Sequence, residues 1–256
     1  MPDTLVTDSA TDRARLATPK ARIGLMIPSS NRLAEPQIQH YAPIGLGVHV
    51  TRMQVTGKHE RPLKDMLEEI ERSASALADA KVDLVVFNCT GTSMRDGPEG
   101  DAQIVNLIEK TTGIEAFSTG AVIVEALQAL GLKRLALFSP YRQSVNDHEV
   151  DYLGKLGITV VSDLALNLPG SDDYIKVMPE RWVEIVTENA RDDVDGYFLS
   201  CTNTTQIEAV EPLEQRLGKP VVNSNQAVLW ACLKRLQSKL GPLGKGSGPG
   251  CLFEKI

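Results

Sequence analysis

The chain repeats itself at a fixed distance, and this internal repeat constrains its fold more than any other feature. Residues 85–93 read VVFNCTGTS and residues 197–205 read YFLSCTNTT, so two apolar runs end in Cys-Thr-x-Thr. Their cysteines, Cys89 and Cys201, lie 112 positions apart, and the segments RIGLMIP and RLALFSP show the same offset. This repetition predicts two similar lobes related by a pseudo-two-fold axis. Each lobe then carries one thiol at an equivalent place.

Between the two ends, short apolar runs alternate with amphipathic stretches of helical length. The predicted strands are 22–27, 48–55, 82–88, 114–117, 133–138, 158–162, 194–200 and 220–223. The predicted helices are 33–41, 62–80, 100–112, 119–130, 143–156, 176–190, 205–217 and 226–239. The strand segments are continuously apolar more often than alternating, which is typical of sheets buried on both faces. This order predicts an α/β fold in which each lobe is a parallel sheet flanked by helices.

Composition sets the outer limits of the two lobes. Residues 1–20 are polar and aperiodic and predict a disordered leader, whereas the glycine-rich residues 241–256 predict a flexible tail. We place the first α/β lobe at 21–128 and the second at 129–240, which is a normal size for a small domain. In a duplicated fold of this kind, the last helix can pack back against the first lobe.

Several classes of protein are disfavoured by the composition. A net charge of −6 without a basic stripe argues against a nucleic-acid partner. Four cysteines and four histidines show neither a disulfide framework nor metal-ligand spacing, and no dinucleotide or phosphate-binding glycine motif occurs, so we expect no metal and no cofactor. No apolar run reaches the roughly 18 residues of a membrane span, and the N-terminus lacks the apolar core of a signal peptide. We therefore expect a cytoplasmic protein without a membrane partner.

The two repeated cysteines are the candidate catalytic residues. Ligands of parallel α/β sheets bind beyond the carboxyl ends of the strands, where Cys89 and Cys201 both fall. Backbone N–H groups and a helix dipole at such a place would lower the pKa of a thiol and attract a carboxylate. A lone free cysteine is more often a small buried apolar residue. Two of them in duplicated settings favour proton transfer or addition at a carbon centre.

Polar residues at the same strand ends are candidate groups for binding a substrate. The candidates are Ser30, Asn31, Thr90, Gly91, Thr92, Tyr141, Asn167, Thr202 and Asn203. The Asn31 amide could donate to a carboxylate or cap the following helix, and the Tyr141 hydroxyl could bind the same anion or pack at a helix start. The threonines supply hydroxyl donors.

Two further segments carry charge near these candidates. Residues 95–101 are charged and glycine-rich, which predicts a solvated loop, with a lid over Cys89 as the alternative. His148 and Glu149 fall in a predicted helix, and we expect both side chains to be exposed.

With these residues identified, positions 22–238 resemble the aspartate/glutamate racemase superfamily, and most closely its maleate cis-trans isomerase and arylmalonate decarboxylase branch. The resemblance rests on PSSN ending at Asn31, NCT around Cys89, PY ending at Tyr141 and SCTN around Cys201. In racemases of this superfamily, two cysteines flank a substrate carbon as paired acid and base. Maleate isomerases are similar to this chain in having both cysteines, whereas arylmalonate decarboxylase retains only the second.

The resemblance implies a leading function and leaves alternatives open. The leading hypothesis is cofactor-independent cis-trans isomerisation of maleate or a related small dicarboxylate, in which Cys89 adds to an alkene carbon and Cys201 donates a proton. The segment TGTSM after Cys89 looks more like that of racemases and decarboxylases, so an amino-acid or hydantoin-type racemase and an arylmalonate-type decarboxylase remain alternatives. A non-catalytic carboxylate binder is a third hypothesis. The resemblance also implies a homodimer or higher homo-oligomer, and carboxylate binding by Asn31, Tyr141 and Asn167.

Overall fold

The computed structural model describes residues 18–54, 62–243 and 247–256. Within these ranges, eight parallel strands form two four-stranded sheets with the orders β2-β1-β3-β4 and β6-β5-β7-β8. The strands are β1 (Ala21–Pro28), β2 (Leu46–Met53), β3 (Leu84–Phe87), β4 (Ala116–Ser118), β5 (Arg134–Ser139), β6 (Thr159–Ala165), β7 (Gly196–Leu199) and β8 (Val221–Asn223). The second sheet repeats the strand order of the first, which confirms the predicted α/β fold of two similar lobes. Positions 1–17 of the predicted leader lie outside the described residues.

The strands correspond closely to the apolar runs of the sequence. All eight predicted strands occur, with ends shifted by at most three residues. The central strands β3 and β7 are buried along their whole length, whereas the edge strand β2 is largely half-buried. Continuous apolar runs mark the central strands because helices cover both faces of each sheet.

The helices flank the two sheets, and the described part of the chain contains two short ones that the sequence pattern does not predict. They are α1 (Ala34–Tyr41), α2 (Leu67–Asp79), α3 (Thr90–Arg95), α4 (Gly97–Thr112), α5 (Thr119–Ala129), α6 (Gln143–Lys155), α7 (Ser171–Tyr174), α8 (Pro179–Glu188), α9 (Val210–Leu217) and α10 (Ser224–Leu240). The short helices α3 and α7 are the unexpected ones. No helix in the described ranges is long and apolar enough to cross a bilayer.

Residues 95–101 belong to helices, apart from Asp96 at the turn between α3 and α4, and are not the predicted loop or lid. The chain passes from α3 into α4 at Gly97, which has a φ of +73°, and Pro98 occupies the first turn of α4. Both residue types are common at a helix boundary, which explains why the composition resembles that of a loop. Asp101 faces inward and is buried, where its carboxylate accepts hydrogen bonds from Ser118 and Tyr152.

The last helix, α10, packs across both lobes. Its buried side chains, which include Trp230, share one apolar cluster with Leu25 of β1 and Ile123 of α5. A capping box starts the helix: the Asn223 side chain accepts from backbone N–H groups of the first turn, and the Gln226 side chain accepts from the Asn223 backbone N–H. This cap holds the first turn of α10 beside the ends of β3 and β7.

The C-terminal segment differs from the predicted flexible tail. Residues Cys251–Lys255 form a 3₁₀ helix, and the side chains of Leu252 and Phe253 are buried in the same apolar cluster as α10. The Gln226 amide donates to the Pro249 carbonyl oxygen over 2.8 Å. Composition misses this docking because two buried apolar side chains anchor a segment that is otherwise rich in glycine and proline. Residues 244–246 lie outside the described residues.

Candidate active site

Cys89 lies where β3 ends and α3 begins. Its backbone is extended, with a φ of −149°, and its side chain is 3% exposed. Its sulfur is 3.2 Å from Thr92 Oγ1. Burial has the largest effect and leaves the pKa of the Cys89 thiol above its usual value, although hydrogen bonds with the Thr92 hydroxyl and backbone N–H offset part of the rise. Both Thr92 donors favour the thiolate.

Cys201 lies two residues beyond β7 in a different backbone conformation. Its φ of +138° is uncommon for a residue other than glycine and costs about 1–3 kcal/mol. The Cys201 backbone N–H donates to Ser224 Oγ over 3.1 Å, and the Asn203 backbone N–H lies 3.3 Å from the Cys201 sulfur. Burial raises the pKa of the Cys201 thiol to about 12, although hydrogen bonds with Tyr141 and the Asn203 backbone act in the opposite direction.

Both cysteines line one small cavity between the lobes. Its walls are formed by Pro28, Ser30, Asn31, Cys89, Ser171, Tyr174, Cys201, Thr202 and Asn203. The cavity has a volume of about 20 Å³, which is room for a single water molecule. A larger groove of about 230 Å³ beside Pro43 and Ile44 has no acid, base or nucleophile among its described lining residues.

Asn31 links the first lobe to the second. Its Oδ1 accepts from the backbone N–H groups of Leu33 and Ala34 at the start of α1, over 3.1 and 2.9 Å. Its Nδ2 donates to Thr202 Oγ1 over 2.9 Å and to the Thr202 carbonyl oxygen over 3.3 Å. Asn31 therefore accepts from backbone N–H groups at the start of α1, and its amide contacts Thr202 across the junction between the lobes.

Asn203 presents a free donor among the cavity-lining residues. Its Oδ1 accepts from the Arg32 backbone N–H over 2.9 Å. Its Nδ2 is buried, with no hydrogen-bond partner in the described structure. A buried donor without a partner costs about 1–3 kcal/mol. An anionic ligand in the cavity would supply the missing acceptor.

Five of the residues predicted to bind substrate do not line the cavity, namely Thr90, Gly91, Thr92, Tyr141 and Asn167. The Thr90 hydroxyl donates to Ser224 Oγ over 3.0 Å, and Gly91 is buried within α3. Asn167 is exposed, with a φ of +53°, and its side chain accepts from the Gln143 backbone N–H over 3.1 Å at the start of α6. Asparagine tolerates this left-handed conformation because its short side chain bonds nearby backbone groups, and that bonding keeps Asn167 out of the site.

Tyr141 lies directly behind the cavity wall. It is buried, its hydroxyl hydrogen-bonds Cys201, and its ring packs edge-on against Tyr174 with centroids 5.7 Å apart. Burial raises the pKa of Tyr141 well above its usual value, so the phenol stays protonated. Tyr141 therefore contacts two residues that line the cavity, Cys201 and Tyr174.

The short helix α7 closes one side of the cavity. The Ser171 hydroxyl donates to Ser30 Oγ over 3.1 Å. Outside it, Arg32 Nη2 and Asp172 Oδ1 form an exposed ion pair at 2.6 Å. These two contacts tie a segment of the second lobe to the loop after β1. No periodic pattern in four residues reveals this helix in the sequence.

Glu149 is a further residue near the site that the sequence reasoning misses, besides Ser171 and Tyr174 of α7. The helix pattern predicts exposure for His148 and Glu149, and His148 is indeed exposed, but Glu149 is 0% exposed. Its Oε1 accepts from Ser200 Oγ over 2.8 Å, and burial raises its pKa to about 8. The signal was present: Asn146, Glu149 and Tyr152 recur every three residues and form a buried polar face of α6.

The chain is similar in sequence and in structure to several known proteins. Residues 19–248 match the arylmalonate decarboxylase family. The chain is 30% identical to a maleate isomerase of Pseudomonas putida KT2440 over 240 residues, covering 89% of this chain and 95% of that protein. It is 27% identical to a maleate isomerase of Geobacillus stearothermophilus over 232 residues, covering 85% and 92%. A maleate isomerase variant of Pseudomonas putida S16, solved with maleate, is 26% identical with a TM-score of 0.82, covering 92% and 98% of the two chains.

Proposed function

This chain belongs to the arylmalonate decarboxylase family, and on that premise we propose that it isomerises maleate, or a related small dicarboxylate, between cis and trans forms without a cofactor. The observation that carries the proposal is the placement of Cys89 and Cys201 on one cavity. The similarity to maleate isomerases supports the substrate class. A single thiol would suffice to protonate a carbanion, whereas addition and proton delivery together need two groups.

In the proposed reaction, the Cys89 thiolate attacks one alkene carbon and forms a carbon–sulfur bond. The alkene π electrons move toward the other carbon and its carboxylate, and the Cys201 thiol delivers a proton to that carbon. The former double bond is now a single bond and rotates. Cys201 then recovers a proton from the same carbon, the double bond re-forms in the trans geometry, and the carbon–sulfur bond breaks to release the Cys89 thiolate. This is covalent catalysis with an acid–base partner.

The surroundings of the two thiols support this division of roles. Burial raises the pKa of Cys89, but the Thr92 hydroxyl and backbone N–H offset part of this rise and stabilise the thiolate, which suits a nucleophile. Cys201 has a pKa of about 12 and retains its proton at neutral pH, which suits a proton donor. The hydroxyl of Tyr141 lies against Cys201 and stabilises the thiolate that proton delivery leaves behind.

We propose that neutral donors bind the substrate carboxylates. The described residues that line the cavity include no lysine or arginine. The free Nδ2 of Asn203 is the first candidate donor, with the hydroxyls of Ser30 and Thr202 beside it. Hydrogen bonds to a charged group are stronger in a site shielded from water, and each is worth about 1.5–3 kcal/mol. The same donors stabilise charge that develops on the carboxylate during addition.

Proton NMR of maleate incubated with the purified protein tests the proposal. We expect the alkene signal of maleate to be replaced by that of the trans diacid with wild-type protein, and not with Cys89→Ala. Cys251→Ala, which removes a thiol outside the cavity, serves as the matched control and should turn over normally. Full turnover by Cys89→Ala would contradict the proposal.

Arylmalonate-type decarboxylation is the second candidate function, and the family match favours it. That reaction would use Cys201 as the sole proton donor. The same NMR assay with an arylmalonate distinguishes the two functions, because decarboxylation should survive in Cys89→Gly, whereas isomerisation should not.

A further inference from the structure

We propose that Glu149 is a positioning residue for the site: through its contact with Ser200 and its charge, it controls when the thiols of Cys89 and Cys201 ionise. The expected effect of Glu149 on maleate turnover rests on the proposed function, whereas its effect on the ionisation of the thiols does not.

The first observation is the contact between Glu149 and the residue that precedes Cys201. Glu149 Oε1 accepts from Ser200 Oγ over 2.8 Å, and the Ser200 backbone N–H donates to the Phe138 carbonyl oxygen over 2.8 Å. On the other side, Ser224 holds the Cys201 backbone N–H. These contacts hold the backbone at Ser200 and at the N–H group of the strained residue Cys201. The carboxyl group therefore helps to set the direction in which the sulfur points.

The second observation is the other carboxyl oxygen of Glu149. Oε2 is buried and has no hydrogen-bond partner in the described structure. An ionised carboxylate with one neutral donor is poorly stabilised in a protein interior, so the neutral acid is favoured at neutral pH. At rest, the site therefore contains an uncharged acid behind its two thiols.

The third observation is the set of charges around Glu149. Its carboxylate acts on Cys89, Cys201 and Tyr141, and in each case it raises the pKa of that group. Arg95 of α3 opposes this effect at Cys89. The interface that α6 forms with α4 also holds Asp101, which is hydrogen-bonded to Tyr152.

It follows that the ionisation of Glu149 and the ionisation of the thiols oppose one another. While Glu149 is neutral, a thiolate can form against the donors of Thr92. Once Glu149 loses its proton, a second negative charge in the same buried region disfavours the thiolate. Above the pKa of Glu149, its negative charge therefore limits the formation of a thiolate at Cys89 or Cys201.

Alkylation kinetics test this inference without any substrate. Iodoacetamide labelling of Cys89 and Cys201 is followed by peptide mass spectrometry from pH 6 to pH 10 in wild-type protein and Glu149→Gln. We expect equal rates near pH 6, and labelling of Glu149→Gln about three- to tenfold faster above pH 8, since tenfold corresponds to one unit of thiol pKa. Asp151→Asn removes the same charge from an exposed position on α6 and is the matched control, with an unchanged profile.

Superimposable profiles for Glu149→Gln and wild type would overturn the inference, because a purely structural role leaves the pH dependence unchanged. Ser200→Ala provides a second variant if Glu149→Gln does not fold. Removing the Ser200 donor disfavours the ionised form of Glu149, so Glu149 should lose its proton at a higher pH than in wild type. The slowing of thiol labelling that this ionisation causes should then also begin at a higher pH. A slowing that begins at the same pH as in wild type would contradict the inference. Loss of maleate turnover alone would affect the proposed function and not this inference.

Discussion

The two strand ends that carry Cys89 and Cys201 share a sequence motif but not a backbone path. After Cys89, the chain enters the helix α3 directly from an extended residue. After Cys201, whose φ is +138°, the chain makes a turn, a 3₁₀ helix at Gln206–Ala209 and then α9. Duplicated sequences have therefore produced two thiols in unequal settings, and unequal settings allow one to act as nucleophile and the other as acid.

The residues that follow each cysteine account for the difference. In the first lobe, Gly91 and Thr92 continue as a helix, and the Thr92 donors turn back toward the thiol. In the second lobe, the Asn203 side chain instead accepts from the Arg32 backbone N–H of the first lobe. A contact across the junction thus replaces a local helical turn, and it leaves one amide donor of Asn203 free.

Removing either thiol gives the largest expected effect. Cys89→Ala deletes the nucleophile, and we expect maleate turnover to fall by at least about 10³-fold. Cys201→Ala deletes the proton donor, for which a loss of about 10²–10⁴-fold is typical. Initial rates from NMR or ultraviolet absorbance measure both. If Cys201→Ala retained the wild-type rate, the two strand ends would not share the reaction as proposed.

Replacing the free amide of Asn203 should weaken substrate binding. Asn203→Ala removes a donor to a carboxylate, so we expect KM for maleate to rise about tenfold or more, as 1.4 kcal/mol corresponds to tenfold. Asn167→Ala, at an exposed position outside the cavity, is the control and should leave KM unchanged. Steady-state kinetics over a range of maleate concentrations measure both KM values. A KM for Asn203→Ala equal to that of wild type would exclude Asn203 as a carboxylate donor.

The two buried acids make stability depend on pH in a defined direction. Burial raises the pKa of Glu149 to about 8 and that of Asp101 to about 6, above their usual values of 4.5 and 3.8. Between the usual and raised values the folded state holds more protons than the unfolded state, so stability falls as pH rises through this window. For Glu149 alone, the loss between pH 4.5 and pH 7 is at most about 3 kcal/mol.

Glu149→Gln should therefore gain stability relative to wild type as pH increases from 5 to 8, and Asp101→Asn should do so mainly between pH 4 and pH 6. Thermal melts across that range provide the measurement. A constant difference in Tm from pH 5 to pH 8 would show that Glu149 has the same protonation in both states.

The smallest expected effect concerns the ion pair over α7. Arg32 and Asp172 are both exposed, so Asp172→Asn should change the free energy of unfolding by less than about 1 kcal/mol. Because the pair ties α7 to the first lobe, labelling of Cys201 by iodoacetamide should nevertheless become about twofold faster. Arg181→Gln breaks an exposed ion pair within α8, which does not join the two lobes, and should leave labelling unchanged.

The fold was predictable because apolar periodicity and internal repetition are local signals. Cys89 and Cys201 could be placed at strand ends for the same reason. The spacing of Asn146, Glu149 and Tyr152 marks one face of α6, but the groups that bury this face lie elsewhere in the chain, so the helix pattern alone predicts exposure for Glu149. Asn167 was misplaced because its left-handed backbone directs the side chain to a helix start. Composition predicts a tail at the C-terminus because docking by Leu252 and Phe253 depends on a distant surface.

The small size of the cavity affects how this protein binds its ligands. A four-carbon diacid is several times larger than the single water that about 20 Å³ can hold, so binding such a ligand requires the cavity to widen. Measured affinity then equals the intrinsic affinity multiplied by the fraction of molecules that are open. We expect flat, compact diacids to bind better than bulkier ones because they require the least widening of the cavity. Discrimination among substrates then depends on how far the two lobes can separate.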